Sequence, residues 1–119
     1  MTDNELDLTI MSCEACHSGA PKMTDAEISD LMAQVPEWER FDVKEVPRLR
    51  RTFKFDGWLP AVEFVNRIAE TAEENDHHPQ IKLEWGKVQV SWWTHKIKGL
   101  HKNDFIMAAK TDSIWQGRQ

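Results

Sequence analysis

Four of the five histidines in this chain are crowded between residues 77 and 101. Imidazole titrates near neutral pH, so such a cluster suggests proton transfer or metal binding. Carboxylates stand close by in the sequence. Glu73 lies one helical turn before His77, Asp76 is adjacent to it, and Asp104 follows His95. Two chemistries suit this set. One is a metal site of three histidines and a carboxylate. The other is metal-free general acid–base catalysis, with carboxylates fixing the imidazole tautomers. Adjacent side chains on an extended segment point apart, which makes joint chelation by His77 and His78 awkward. The residues therefore lean towards metal-free acid–base work. The blander alternative for His77-His78-Pro79 is a polar loop punctuated by proline.

A second cluster, Cys13-Glu14-Ala15-Cys16-His17, matches the C-x-x-C-H string of haem attachment and is half of a zinc site. The acidic start, Met-Thr-Asp-Asn-Glu-Leu-Asp, is unlike a signal peptide. The expected address is the cytoplasm, where both thiols stay reduced. Residues 1–22 carry no sustained periodicity and are expected to be a mobile lead-in, dispensable for catalysis, to a single domain at 23–119.

The elements that must position the histidines can be read from periodicity. Thr24 and Glu27 form a capping box, with Met23 and Ile28 as a hydrophobic staple. Ile28, Leu31, Met32 and Val35 continue the helix until Pro36 ends it. Trp38–Val43 and Leu49–Phe55 are expected to form a hairpin, with Pro47 in its connection. Leu49, Arg51, Phe53 and Phe55 share one face, on which Arg51 is the blemish. Asp56-Gly57 opens a second helix, with Leu59, Val62, Val65, Ile68, Ala69 and Ala72 as its apolar stripe. A second hairpin follows, with Gly86-Lys87 as the expected turn. That turn pairs Trp85 with Val88, Leu83 with Val90 and Ile81 with Trp92. A last helix from about Lys102 shows a modest inward face at Phe105, Ile106 and Ala109.

The predicted fold is α+β. A four-stranded antiparallel sheet carries three helices packed on one face, in the order α-β-β-α-β-β-α. The second hairpin turns the chain back on itself. The end of its last strand thus lies beside the start of its first, so His77, His78 and His95 should converge with the carboxylates at one end of the sheet. Open sheet edges favour a homodimer. Of the six tryptophans, Trp38, which opens a strand after Pro36-Glu37, is the candidate to stack a flat heterocycle. The remaining composition is ordinary: 119 residues, 40% hydrophobic and 29% charged. A net charge of −5 disfavours nucleic-acid and anionic-membrane partners, and no apolar run is long enough to span a bilayer.

Glu73-x-x-x-His77-His78-Pro79, then Trp85, His95 and Asp104, resembles the signature of the pterin-4a-carbinolamine dehydratases. Pro36-Glu37-Trp38, Phe53-Lys54-Phe55, Thr94-His95 and Gly99-Leu100 widen the match to roughly residues 24–112. The resemblance implies dehydration of 4a-hydroxytetrahydropterin to quinonoid dihydropterin without metal or redox cofactor. It also implies a functional link to an aromatic amino acid hydroxylase, whose pterin is recycled, and a homodimer or tetramer built by sheet extension. On this reading His77 and His95 transfer protons and His78 binds the pterin. Glu73, Asp76 and Asp104 orient these groups, and Trp38 walls the pocket. His101 departs from the Ser or Thr helix cap of many members, so a weaker cap is expected there. The alternative within the same resemblance is a non-catalytic dimerisation or transcriptional cofactor module.

Overall fold

The computed structural model describes residues 23–117. The expectations for Cys13, Cys16, His17 and the rest of the lead-in lie outside these residues. Helix α1 spans Asp25–Met32, strand β1 Glu39–Val43, β2 Val46–Lys54, helix α2 Trp58–Glu74, β3 Gln80–Glu84, β4 Lys87–Trp92 and α3 Lys102–Gly117. The sheet is antiparallel with strand order β1-β2-β4-β3, and β1 and β3 are its edges. A single core cluster joins Ile28 of α1, Phe64 and Ile68 of α2, and Phe105 and Ile106 of α3. It also holds Leu49, Phe53, Val88, Val90 and Trp92 from one face of the sheet. This is the predicted α+β order with the helices on one face.

The capping box of α1 forms as read. Thr24 Oγ1 accepts from the Glu27 N–H at 3.2 Å, and Glu27 Oε1 accepts from the Thr24 N–H at 2.8 Å. Such a cap contributes about 1 kcal/mol. The helix ends at Met32, earlier than Pro36 suggested. Tighter three-residue bonds, Gln34 N–H to Leu31 O and Val35 N–H to Met32 O, then carry the chain inward and bury Val35.

Pro47 belongs to β2, opposite Asp42, and not to the connection. It is tolerated because β2 outruns β4 here, whose pairing begins only at Leu49. The connection is the pair Lys44-Glu45, both at positive φ (50° and 69°), as a two-residue primed turn requires.

The β3–β4 register differs from expectation by two residues. Leu83 pairs with Val88 and Ile81 with Val90, so the turn is Trp85-Gly86. Gly86 takes φ +78°, and a Cβ there would approach the Phe55 carbonyl oxygen to 3.3 Å. Phe55 N–H also donates to Gly86 O at 2.9 Å. Contact with the end of β2 thus selects the turn. Because side chains alternate with period two, a two-residue shift leaves Ile81, Leu83, Val88 and Val90 on the same face. Trp85 moves from the strand to the tip, 68% exposed, and Lys87 from the turn into β4.

The buried line of α2 is Ala61, Phe64, Ile68 and Ala72, rotated from the predicted stripe, and Leu59 is exposed. The N-terminal half of α3 is buried all round, from Asn103 to Ala109, because it lies against α2 as well as β2 and β4. A helix enclosed on several sides shows no polar face, so its modest periodicity understated its burial. Among the described residues, no helix is long and apolar enough to cross a membrane.

Candidate active site

The end of α2 determines where His77 goes. Asn75 caps the helix and Asp76 follows in the left-handed conformation, φ 50°. Asp76 N–H donates to Glu73 O at 3.2 Å, and His77 N–H to Ala72 O at 3.1 Å. This pair of bonds is a Schellman motif, with Asp76 where glycine is commonest. Aspartate tolerates the left-handed region better than most residues. The motif turns the chain sharply and directs His77 beneath the helix.

His77 is only 5% exposed. Its ring stacks on Trp92 at 5.6 Å and 20° between planes. Its Nε2 lies 2.6 Å from Asp104 Oδ1, and Asp104 is fully buried in the first turn of α3. The carboxylate makes Nε2 the protonated, donating nitrogen. The second oxygen, Asp104 Oδ2, accepts from Thr94 Oγ1 at 2.8 Å and from the His101 N–H at 2.9 Å. His101 in turn caps α3, its Nδ1 accepting from Asn103 N–H at 3.1 Å. The imidazole therefore takes the place of the expected Ser or Thr cap, and Asp104 completes a reciprocal capping box.

His95 begins a short 3-10 turn, His95–Ile97, inside a loop closed by bridging bonds between Thr94 and Gly99. It is exposed and packs on Trp93 with ring centroids 4.5 Å apart. His78 is also exposed, its Nε2 2.9 Å from Glu73 Oε1. The structure thus joins His77, Asp104 and Thr94 in one buried network and puts His78–Glu73 and His95 beside it in sequence, on the surface. Asp76 acts in the backbone turn. Trp38 is not brought to the histidines. It is 3% exposed, edge-on to Phe53, with its Nε1–H on Asp112 at 2.9 Å. Asp112 lies about 12 Å along α3 from Asp104, at 1.5 Å per residue. Sequence reading overlooked Thr94 and His101 as partners of Asp104. The signal available was His101-x-x-Asp104, spaced as a capping box. Among the described residues, no group of three or more His, Cys, Asp or Glu is arranged to hold a metal ion.

The class these features define is a small α+β protein: a helix-backed four-stranded antiparallel sheet with His77 bonded to Asp104 and His78 to Glu73. The family model for pterin 4 alpha carbinolamine dehydratase matches residues 21–114. A provisionally named pterin-4-alpha-carbinolamine dehydratase of Nitrosococcus oceani is 55% identical over 108 residues, covering 91% of this chain and 96% of that protein. The chain belongs to the pterin-4α-carbinolamine dehydratase family. The fold is also similar to a transcriptional coactivator/pterin dehydratase from Brucella melitensis, at TM-score 0.72 and 30% identity over 79% of this chain and 98% of that one. A pterin dehydratase-like protein identified as a RuBisCO assembly factor in the alpha-carboxysome shares the fold at TM-score 0.56 and 22% identity, over 66% of this chain and 88% of that one.

Proposed function

We propose that the chain dehydrates 4a-hydroxytetrahydropterin, recycling the pterin of an aromatic amino acid hydroxylase. The observation that carries this reading is the Asp104 network, which links His77 to the Thr94-His95 turn. In the reaction the C4a–O bond breaks and the departing hydroxyl takes a proton to become water. The proton on N5 is removed and its electron pair forms the N5=C4a bond. Both transfers suit imidazoles near neutral pKa. His77, with its tautomer held by Asp104, and His95 carry them. His78, on the surface beside Glu73, binds and orients the pterin. Each acid–base partner is typically worth a factor of about 10²–10⁴. The uncatalysed dehydration is itself feasible, so losses should sit at the low end. The protein works as a homodimer, with the edge strands β1 and β3 available for pairing.

The test is turnover of chemically generated 4a-hydroxytetrahydropterin, with and without a chelator. His77→Ala and His95→Ala should each lower kcat, His78→Ala should chiefly raise KM, and the double His77→Ala/His95→Ala should nearly abolish catalysis. A double variant with wild-type kcat and an intact circular dichroism spectrum removes the assignment. A folded wild-type protein with no turnover favours the alternative, a non-catalytic cofactor module.

A further inference from the structure

The two proposed proton-transfer histidines are held differently. His77 is fixed by a hydrogen bond, whereas no hydrogen bond reaches the His95 ring among the described residues. Its contact is the Trp93 indole, 4.5 Å between centroids and tilted by 37°. Trp93 in turn carries the Arg48 guanidinium, whose Cζ lies 3.7 Å from the ring centroid. Arg48 Nε is buried with no hydrogen-bond partner among the described residues. A buried donor left unpaired is costly. The aromatic face is what holds this cation, and a side chain kept at such a cost calls for a reason.

The strand geometry supplies one. Leu49 of β2 faces Trp92 across the sheet and both belong to the core; Arg48 and Trp93, the next residues outward, stack on each other beside them, with Trp93 partly buried against the core. Trp92, the last residue of β4, thus holds His77, and Trp93, the next residue, holds His95. We infer that Arg48 and Trp93 form a clamp that positions His95 for proton transfer, with Trp93 as the platform and Arg48 as the weight that keeps the indole in place. A flat cation over an indole is attracted by the ring quadrupole and limits its rotation. Without the platform, His95 keeps its chemistry but samples many orientations. Misplacement of a reacting group by about 1 Å can cost a factor near 10². This inference rests on the dehydratase reading.

In the dehydration assay, Trp93→Ala should lower kcat by roughly 10- to 100-fold with little change in KM, approaching His95→Ala. Trp93→Phe should recover most of the loss. Arg48→Met, which keeps bulk but removes the cation, should lower kcat by about threefold, the size of a surface cation–π contact. Trp93→Ala combined with His95→Ala should be no worse than His95→Ala alone, because the two act through one group. Multiplying losses, or a Trp93→Ala enzyme with wild-type kcat, overturn the clamp. A second measurement is independent of turnover. The His95 Cε1–H resonance should carry a ring-current shift that moves toward the random-coil position in Trp93→Leu and Arg48→Met. If neither variant moves it, the clamp is wrong even in a fully active protein. If wild type shows no turnover while the resonance moves, the clamp stands and the dehydratase reading fails.

Discussion

Helix α3 carries two acidic residues eight positions apart, and both are drawn into polar networks in the protein interior. Asp104 grips His77, Thr94 and the backbone of His101. Asp112 grips the Trp38 indole at 2.9 Å and Arg51 at 2.6 Å. The second network ties β2 and the segment before β1 to α3. Its cation is permanent, and the other partner bonded to Asp112 is an indole N–H, which neither gains nor loses a proton near neutral pH. The first ends in an imidazole and a loop that carries another imidazole at the surface. Burial and hydrogen bonding alone do not mark a site of chemistry. On the dehydratase proposal, what separates the two is whether the carboxylate's partners include an imidazole, which can gain or lose a proton near neutral pH.

Replacing each carboxylate by its amide sharpens the contrast and should give the largest effect. Asp104→Asn keeps the shape but weakens the bonds that fix the His77 tautomer and the Thr94 hydroxyl. It should lower kcat by about 10²-fold, the low end for losing an acid–base group, and cost roughly 2 kcal/mol of stability. Asp112→Asn should leave kcat within about twofold, since removing a structural ion pair has no route to transition-state stabilisation. Steady-state kinetics on both variants decide the matter. Equal losses in kcat would show that the two carboxylates serve the same role.

The next effect is on stability. Arg51 and Asp112 have side chains 16% and 18% exposed. Removing one partner of a buried pair leaves an uncompensated charge, at about 3–5 kcal/mol; the residual exposure puts this case near 3. Arg51→Met should therefore lower the free energy of unfolding by about 3 kcal/mol in urea titration. The double Arg51→Met/Asp112→Leu should recover most of it, since removing both partners can be nearly neutral. A single variant as stable as wild type would show that the pair is merely a surface contact.

Arg51 also illustrates what the residue pattern conveys and what it hides. Alternation along β2 put Arg51 on the core face, and that placement was right. Its partner, 61 positions away on α3, leaves no local trace. The order of elements, the α1 capping box and the approach of His77 to Asp104 were legible, because periodicity, caps and hairpin topology are local or nearly so. The β3–β4 register was not, since a backbone contact from Phe55 decides between two adjacent turns that glycine can serve. The site survived that error because the shift was even and left the strand faces unchanged. The Trp38 contact is hidden for a related reason: a tryptophan at a strand start looks the same whether its indole N–H meets a ligand or Asp112. The backbone role of Asp76, the left-handed position of a Schellman motif, is hidden from composition.

The smallest expected effect is a pH dependence of stability carried by Asp112. Burial raises its carboxyl above the ordinary carboxylate range, against the hydrogen bonds from Trp38 and Arg51 and the attraction of the Arg51 charge. In the window above the unfolded value of about 3.9, the native state keeps a proton that the unfolded chain has released. The native state then binds more protons, so this group's contribution to stability declines as pH rises through the window and is constant above the native pKa. Asp112→Asn has no such proton. The free energy of unfolding of wild type minus that of Asp112→Asn should thus be largest near pH 3, fall as pH rises, and level off once Asp112 is ionised in both states. Urea titrations of the two proteins from pH 3 to 7 measure this difference directly, and the carboxylates common to both cancel. A difference that grows with pH would mean that Arg51 and Trp38 outweigh burial, and that the pair is a net stabiliser in its charged form.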